Sequence, residues 1–376
     1  MASMTHVKPP VSAGPPPSGE AWITTRRRRL VTGDTIVAGS ARLAAASILL
    51  MLLALLGVLV YAAWPSIQAY GWRFLVSSEW RPNELTVPMK DAAGKVIFDG
   101  NGELVMRTLK PAFGALPVIY GTAVSSVLAM LFAVPLSFGT ALFIVRLCPK
   151  FLVVPVSFLI EFLAAIPSIA YGIWGLFVLA PFLQHHVEPA LRGALSWVPG
   201  VDGWLFTETL KVGARQITRP LPLTGRDMFC GGIVLGIMIL PIITAISRDV
   251  LKSVPRGQLE GTLSLGANWW QSSWEMLTYC RSALFGAAML GLARAAGETM
   301  AVTMVIGNNN QVHRSIFAPA QTMSSLLANE FAEASTDLHR AALAEVALIL
   351  LVMSLLFNIV ARWLVVGRNA QTAAAH

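Results

Sequence analysis

Of the 376 residues, 55% belong to the apolar and aromatic set and only 13% are charged, against roughly 25% charged residues in soluble domains. That deficit excludes an ordinary water-soluble core and makes lipid the expected solvent for much of the chain, in a single domain of several membrane helices. The formal net charge of +8 does not call for nucleic acid, because cytoplasmic loops of membrane proteins collect Lys and Arg and no aromatic-rich basic segment accompanies the charge.

Residues 1–25 are rich in Pro, Ser and Gly and lack apolar periodicity, so 1–40 is read as a disordered, basic, cytoplasmic N-terminus. Arg26 to Arg29 resemble the positive region of a signal peptide. The apolar run that follows, Leu43 to Ala63, is as long as the roughly 20 residues of a full span, and no small-residue cleavage site closes it. Residues 41–64 are therefore an uncleaved first transmembrane helix, with the arginines on the cytoplasmic side. Residues 65–116 form an outer loop. In it, Lys95 to Phe98 and Glu103 to Met106 flank Asp99-Gly-Asn-Gly102, the pattern of a hairpin insertion.

The second span is Val118 to Val145. The third runs from Phe151 to about Leu183 and contains Glu161; Pro167 kinks it or divides it in two. Phe229 to Ser247 is a fourth span, Ala283 to Gly307 a fifth carrying Arg294 and Glu298, and Ala341 to Ala361 a sixth carrying Glu345. About six spans result by length, an all-α polytopic membrane helix bundle. Parity places 146–151, 248–282 and a tail at 367–376 inside. It places 182–228 and 308–340 outside, and a divided third span would move every later loop to the other side. Residues 321–340 mix Leu and Phe with Asn, Glu and His, as an interfacial helix does.

Arg294 and Glu298 are four residues apart in an apolar stretch, so one helix face would carry both. A charge at bilayer depth costs at least ~2.5–3.5 kcal/mol. Such a pair either lines a polar path for an anion, with Glu298 neutralising the guanidinium when the path is empty, or locks two helices together. Glu161 meets Arg294 or a backbone donor, or is a packing contact near hydrated headgroups. Glu345 sits at the edge of its span.

The segment 251–282 is different in kind. Ser253-Val-Pro255 signals a helix start, Glu260 falls inside the helix, and Gly266 lies where the chain turns. Trp269, Trp270 and Trp274 then offer an aromatic surface suited to a groove on a cytoplasmic partner, or belong to an ordinary amphipathic loop. No phosphate loop of the form G-x-x-x-x-G-K-[ST] and no H-E-x-x-H is present, and no Ser-His-Asp set can be placed, so no catalytic residues are assigned. Cys148, Cys230 and Cys280 are too few and too scattered for a disulfide framework or a metal site.

At this point the residues resemble a known family. Glu260 to Gly266 is similar to the E-A-A-x-x-x-G coupling loop of the permeases of ATP-driven (ABC) importers, with Thr262 in place of the last Ala and Leu277-Thr-Tyr279 where Leu-Pro is usual. Gly291-Leu-Ala-Arg-Ala-Ala-Gly-Glu-Thr-Met-Ala-Val-Thr-Met-Val-Ile-Gly-Asn308 resembles the phosphate permeases of the PstC type. So do Glu79-Trp-Arg-Pro82, Phe113-Gly-Ala-Leu-Pro117, Ile119-Tyr-Gly-Thr122, Ala164-Ala-Ile-Pro-Ser168 with Tyr171-Gly172, and Ala328-Asn-Glu-Phe-Ala-Glu-Ala334. Residues 83–112 resemble nothing in that pattern and form an insertion.

The resemblance implies a multi-pass protein of the bacterial inner membrane with both termini cytoplasmic. In it, 65–116 is periplasmic, 117–366 is the permease core and 251–282 is the cytoplasmic coupling loop. It further implies a second permease of the PstA type, an ATPase dimer below and a periplasmic phosphate-binding protein above. Inorganic phosphate is then the cargo, passing Arg294, Glu298 and Glu161 by alternating access. Glu260 and Gly266 couple to the ATPase. The chain itself is a transport subunit and not an enzyme; it holds no cofactor, and ATP is bound by the partner. A permease for molybdate or sulfate, or a membrane scaffold that senses phosphate, are the alternatives.

Overall fold

The computed structural model describes residues 20–89, 105–195, 197–198, 203, 205–212 and 215–373. The chain divides into two units, 1–58 and 59–376. The first holds most of α1, Glu20–Tyr70. Helix thus begins well before residue 41, which corrects the irregular reading of 20–40. The last proline of the N-terminal run is Pro17, and the Ala, Leu and Arg that follow favour helix. Within α1 the candidate span is Val37–Tyr70, and none of its most apolar window is buried by protein. A helix so apolar and so bare is stable only in hydrocarbon, where its backbone is satisfied internally.

The second unit is organised around one helix. After strands β1 (Leu85–Pro88) and β2 (Met106–Leu109) come α2 (Leu116–Arg146), α3 (Lys150–Ala165) and α4 (Ser168–Leu195). Strands β3 (Thr207–Val212) and β4 (Arg215–Pro220) precede α5 (Met228–Lys252). In α5, 61% of the most apolar window is buried, so this helix is the core of the unit. Ala129 and Ala133 of α2 pack with Leu235, Ile239 and Ile243 of α5.

The third span read from the sequence is two helices. Ile166 is extended and ends α3, since the residue before a proline is pushed out of the helical region, and Pro167 then starts α4. Helix α3 has 16 residues, about 24 Å, against the ~30 Å of a hydrocarbon core. It packs on α5. Eleven residues after Lys150, Glu161 still reaches Arg248 in the closing turns of α5. Of the two pieces, only Ser168–Leu195 is long and apolar enough to cross a membrane. Helix α4 contains two wide π turns, Gly175–Leu179 and Leu183–Val187.

Beyond α5 lie α6 (Arg256–Ser264), α7 (Trp269–Tyr279), α8 (Arg281–Gly297) and α9 (Met300–Val305). Then come α10 (Met323–Glu330) and α11 (Asp337–Ala373). Helices α7 and α8 meet at 68°. Ala283–Gly307 is therefore not one continuous span: α8 stops at Gly297, Glu298 is extended and α9 follows. Among the described residues five helices are long and apolar enough to cross a membrane, or six if the bent α7–α8 pair is one span.

Two further expectations change. The paired strands of the first hairpin are β1 and β2, antiparallel with Leu85 opposite Leu109; Lys95 to Phe98 and the Asp99–Gly102 turn lie outside the described residues. The hairpin β3–β4 was not anticipated, because Thr209, Leu210, Ile217 and Thr218 give too short an alternation to stand out. Residues 321–340 are not an interfacial helix. The first turn of α10 is buried, with Met323 and Leu326 in a core alongside Phe74, Phe113, Leu343 and Val346. Glu345, expected at the edge of its span, is buried too.

Candidate functional site

Depth can be read from the packing of α8 on α5. The two run antiparallel: Cys280, just before α8, lies beside Val250 near the end of α5, and a side chain at Gly291 would strike Ile243 and approach Ile239. Those isoleucines are near the middle of the 25-residue α5. Arg294, one turn further on, is therefore close to mid-depth of the bundle.

Its side chain is 51% exposed, whereas that of Glu298 is 9% exposed, and the two are 3.8 Å apart, Nη2 to Oε2. They are held together across a break, not along one helix face. Arg294 is in the last turn of α8, and Glu298 is the residue after it, with φ −70° and ψ 130°. A separation of 3.8 Å is too long for a hydrogen bond. The guanidinium is partly neutralised and keeps its donor fork available for another oxyanion. Leu290, Arg294 and Gly297 are exposed and share a helix face by their spacing of four and three.

A second break precedes α4. Helix α9 packs on the start of α4 so closely that a Cβ at Gly172 would come within 2.8 Å of Met304 Sδ and 3.0 Å of Ala301 Cα. The helix that follows the interruption at Ile166–Pro167 thus lies against the one that follows Glu298–Thr299.

Glu161 is elsewhere. Its Oε1 accepts from Arg248 Nη1 at 3.2 Å, and Arg248 Nε donates to Asp249 Oδ1 at 3.0 Å. By the α5–α8 packing this cluster is about 15 Å along the bundle axis from Arg294. Of the alternatives read for Glu161, an Arg294 or backbone partner is not found; its side chain is 58% exposed, beside Arg248. Arg248 was passed over although a carboxylate in a span calls for a nearby cation and Arg248 closes the next span in sequence.

Glu260 is exposed on α6. Gly266 has φ +83°, the left-handed conformation that ends a helix at lowest cost with glycine. Asn268 then caps α7 in a reciprocal box with Gln271, and Trp270 and Trp274 are 64% and 62% exposed. The α6–turn–α7 element therefore presents an acid and two indoles away from the core. Among the described residues no group of three or more His, Cys, Asp or Glu could hold a metal ion.

The model for the binding-protein-dependent transport system inner membrane component matches residues 133–367. A phosphate transport system permease protein PstC from Mesorhizobium japonicum is 38% identical over 328 residues, covering 86% of this chain and 88% of the relative. The chain belongs to the PstC family of permeases. The PstC protein of Haemophilus influenzae is 37% identical, covering 85% and 89%. An inward-facing structure of the MetNI methionine ABC transporter aligns with 67% of the chain at 14% identity and a TM-score of 0.46, a weak likeness. As a PstC-family member the chain is a multi-pass inner-membrane transport component that works with a binding protein and an ATPase, and not an enzyme.

Proposed function

We propose that this permease conducts inorganic phosphate, delivered by a periplasmic phosphate-binding protein, through a path it shares with a second permease of the PstA type. The observation that carries the proposal is Arg294: an arginine near mid-depth, half exposed and only loosely paired with Glu298 at 3.8 Å, in a chain so similar to PstC proteins. A bare arginine would hold a phosphate dianion too firmly to release it, and a tight salt bridge would not hold it at all. A loosely neutralised guanidinium meets both needs.

The α6–turn–α7 element is the place where an ATPase dimer would push. ATP is bound there by the partner, and this chain supplies Glu260, the turn at Gly266 and the exposed indoles. Movement of that element turns α8, which follows α7 directly at 68°, and carries Arg294 from one side of the barrier to the other. In this orientation the N-terminus, the α2–α3 turn with Arg146 and Lys150, and the C-terminal tail face the cytoplasm; the hairpins face the periplasm. Glu161 and Arg248 then stand near the cytoplasmic mouth of the path.

The test is uptake of labelled phosphate in a strain lacking this gene, restored with wild-type or variant chain beside its partners. Arg294→Gln, at normal membrane yield, is expected to lose at least tenfold in uptake. Wild-type uptake by that variant removes Arg294 from the path. Competition by molybdate or sulfate in the same assay distinguishes phosphate from other tetrahedral anions, which one arginine does not.

A further inference from the structure

The break that presents Glu298 is held from outside its own helices. Where α8 stops, the carbonyl of Glu298 has no following helical N–H to accept from. It is met by a hydroxyl from α10: Ser324 Oγ donates to Glu298 O at 2.7 Å, and Ser324 is 3% exposed. The donor is itself fixed. Thr322 Oγ1 lies 3.2 Å from Ser324 Oγ. Thr322 and Ser325 cap each other reciprocally, and the Met323 N–H donates to Thr122 Oγ1 on α2 at 2.9 Å. Thr122, Thr322, Ser324 and Ser325 are all buried. A run of hydroxyl and backbone hydrogen bonds thus leads from α2 through the start of α10 to the one peptide that orients Glu298.

We propose that Ser324 is a positioning residue for phosphate passage, acting through Glu298. The inference rests on the reading of Arg294 and Glu298 as the substrate site. The bond fixes the extended peptide of Glu298 and with it the gap between its carboxylate and the Arg294 guanidinium. Without it the peptide turns, and the carboxylate either closes on Arg294 and excludes the anion or leaves it and lets the anion bind without release. Ser324 Oγ makes its hydrogen bonds to Glu298 O and Thr322 Oγ1 and none to the Arg294 guanidinium.

The experiment is a double-mutant cycle on phosphate uptake by the whole transporter in membrane vesicles, each variant normalised to assembled complex. Ser324→Ala is expected to lower uptake at least fivefold, and Ser324→Thr, which keeps the donor, to retain most of it. In a Glu298→Gln chain, already impaired, Ser324→Ala is expected to subtract nothing more, because groups acting as one unit are non-additive. Ser324→Cys, a near-isostere with a weak donor, should fall between Ser and Ala, and it replaces Ala in the cycle should that variant not reach the membrane. Wild-type uptake by Ser324→Ala or Ser324→Cys, or losses that multiply in the double variant, overturn the positioning role while leaving Arg294 and Glu298 in place. Wild-type uptake by both Arg294→Gln and Glu298→Gln overturns the substrate site and the positioning role together.

Discussion

At the scale of single residues, the sequence marks charges that lipid cannot tolerate, and the structure decides what each one meets. Arg294 and Glu298 stand out because a cation and an acid interrupt an apolar run, and they are neighbours at 3.8 Å. Their spacing of four suggested one helix face; the backbone instead breaks between them and the pair persists. Glu161 was legible as an anomaly but its partner was not, since Arg248 is 87 positions away and only packing of α3 on α5 brings them together. Ser324 was invisible, because a serine among apolar residues carries no signal until a neighbouring carbonyl is seen to lack a donor. Glu260 belongs to this scale as well. Exposed and unsupported by other groups on α6, it is available to a partner, so Glu260→Ala should reduce co-purification of the ATPase several-fold with little change in permease yield. Equal recovery of ATPase and equal stimulation of its activity would take Glu260 out of the interface.

At the scale of elements, proline and glycine at the breaks shape the core. Pro167 divides a stretch that reads as one long span, because its ring excludes helix at the residue before it. The second piece then packs on α9 at a distance only glycine permits. At Gly172 a Cβ would meet Ala301 Cα at 3.0 Å and Met304 Sδ at 2.8 Å, whereas at Gly139, inside α2, nothing lies within 4 Å. In a helix, alanine is intrinsically preferred to glycine by about 1 kcal/mol. Overpacking costs about 1–3 kcal/mol and should outweigh that preference at Gly172 alone. Gly172→Ala is therefore expected to lower the melting temperature of the purified complex and to reduce uptake, while Gly139→Ala leaves both unchanged or improves stability. A rise in melting temperature for both variants would show that the α4–α9 approach is not tight. Long apolar helices such as α2 and α5 were readable to within a few residues, as their patterns are strong. Hairpin β3–β4 and the buried α10 were not, because their strands and turns are short and their burial is set by elements far away in sequence.

At the scale of the molecule, the inner α6–α7 element and the mid-depth arginine are joined through a single bend. Helix α7 passes into α8 at 68°, and α8 carries Arg294 in its last turn. On the proposed function, a push on the exposed end would have a short mechanical route to the charge. Helix α1 and the outer faces of α3 and α11 remain apolar and exposed, as surfaces toward lipid require. This arrangement demands that the exposed face of α8 border water and not acyl chains. Gly297 is on that face, with nothing within 4 Å of a Cβ built there, and Cys230 and Cys280 are buried while Cys148 is partly exposed. The direct measurement is modification of Gly297→Cys, in a chain carrying Cys148→Ser, by a charged, membrane-impermeant thiol reagent in the assembled transporter. Rapid labelling that blocks uptake, and that phosphate slows, is the expected result. Reaction only with a lipid-soluble maleimide, with uptake intact, would place Arg294 against hydrocarbon and contradict the conducting role.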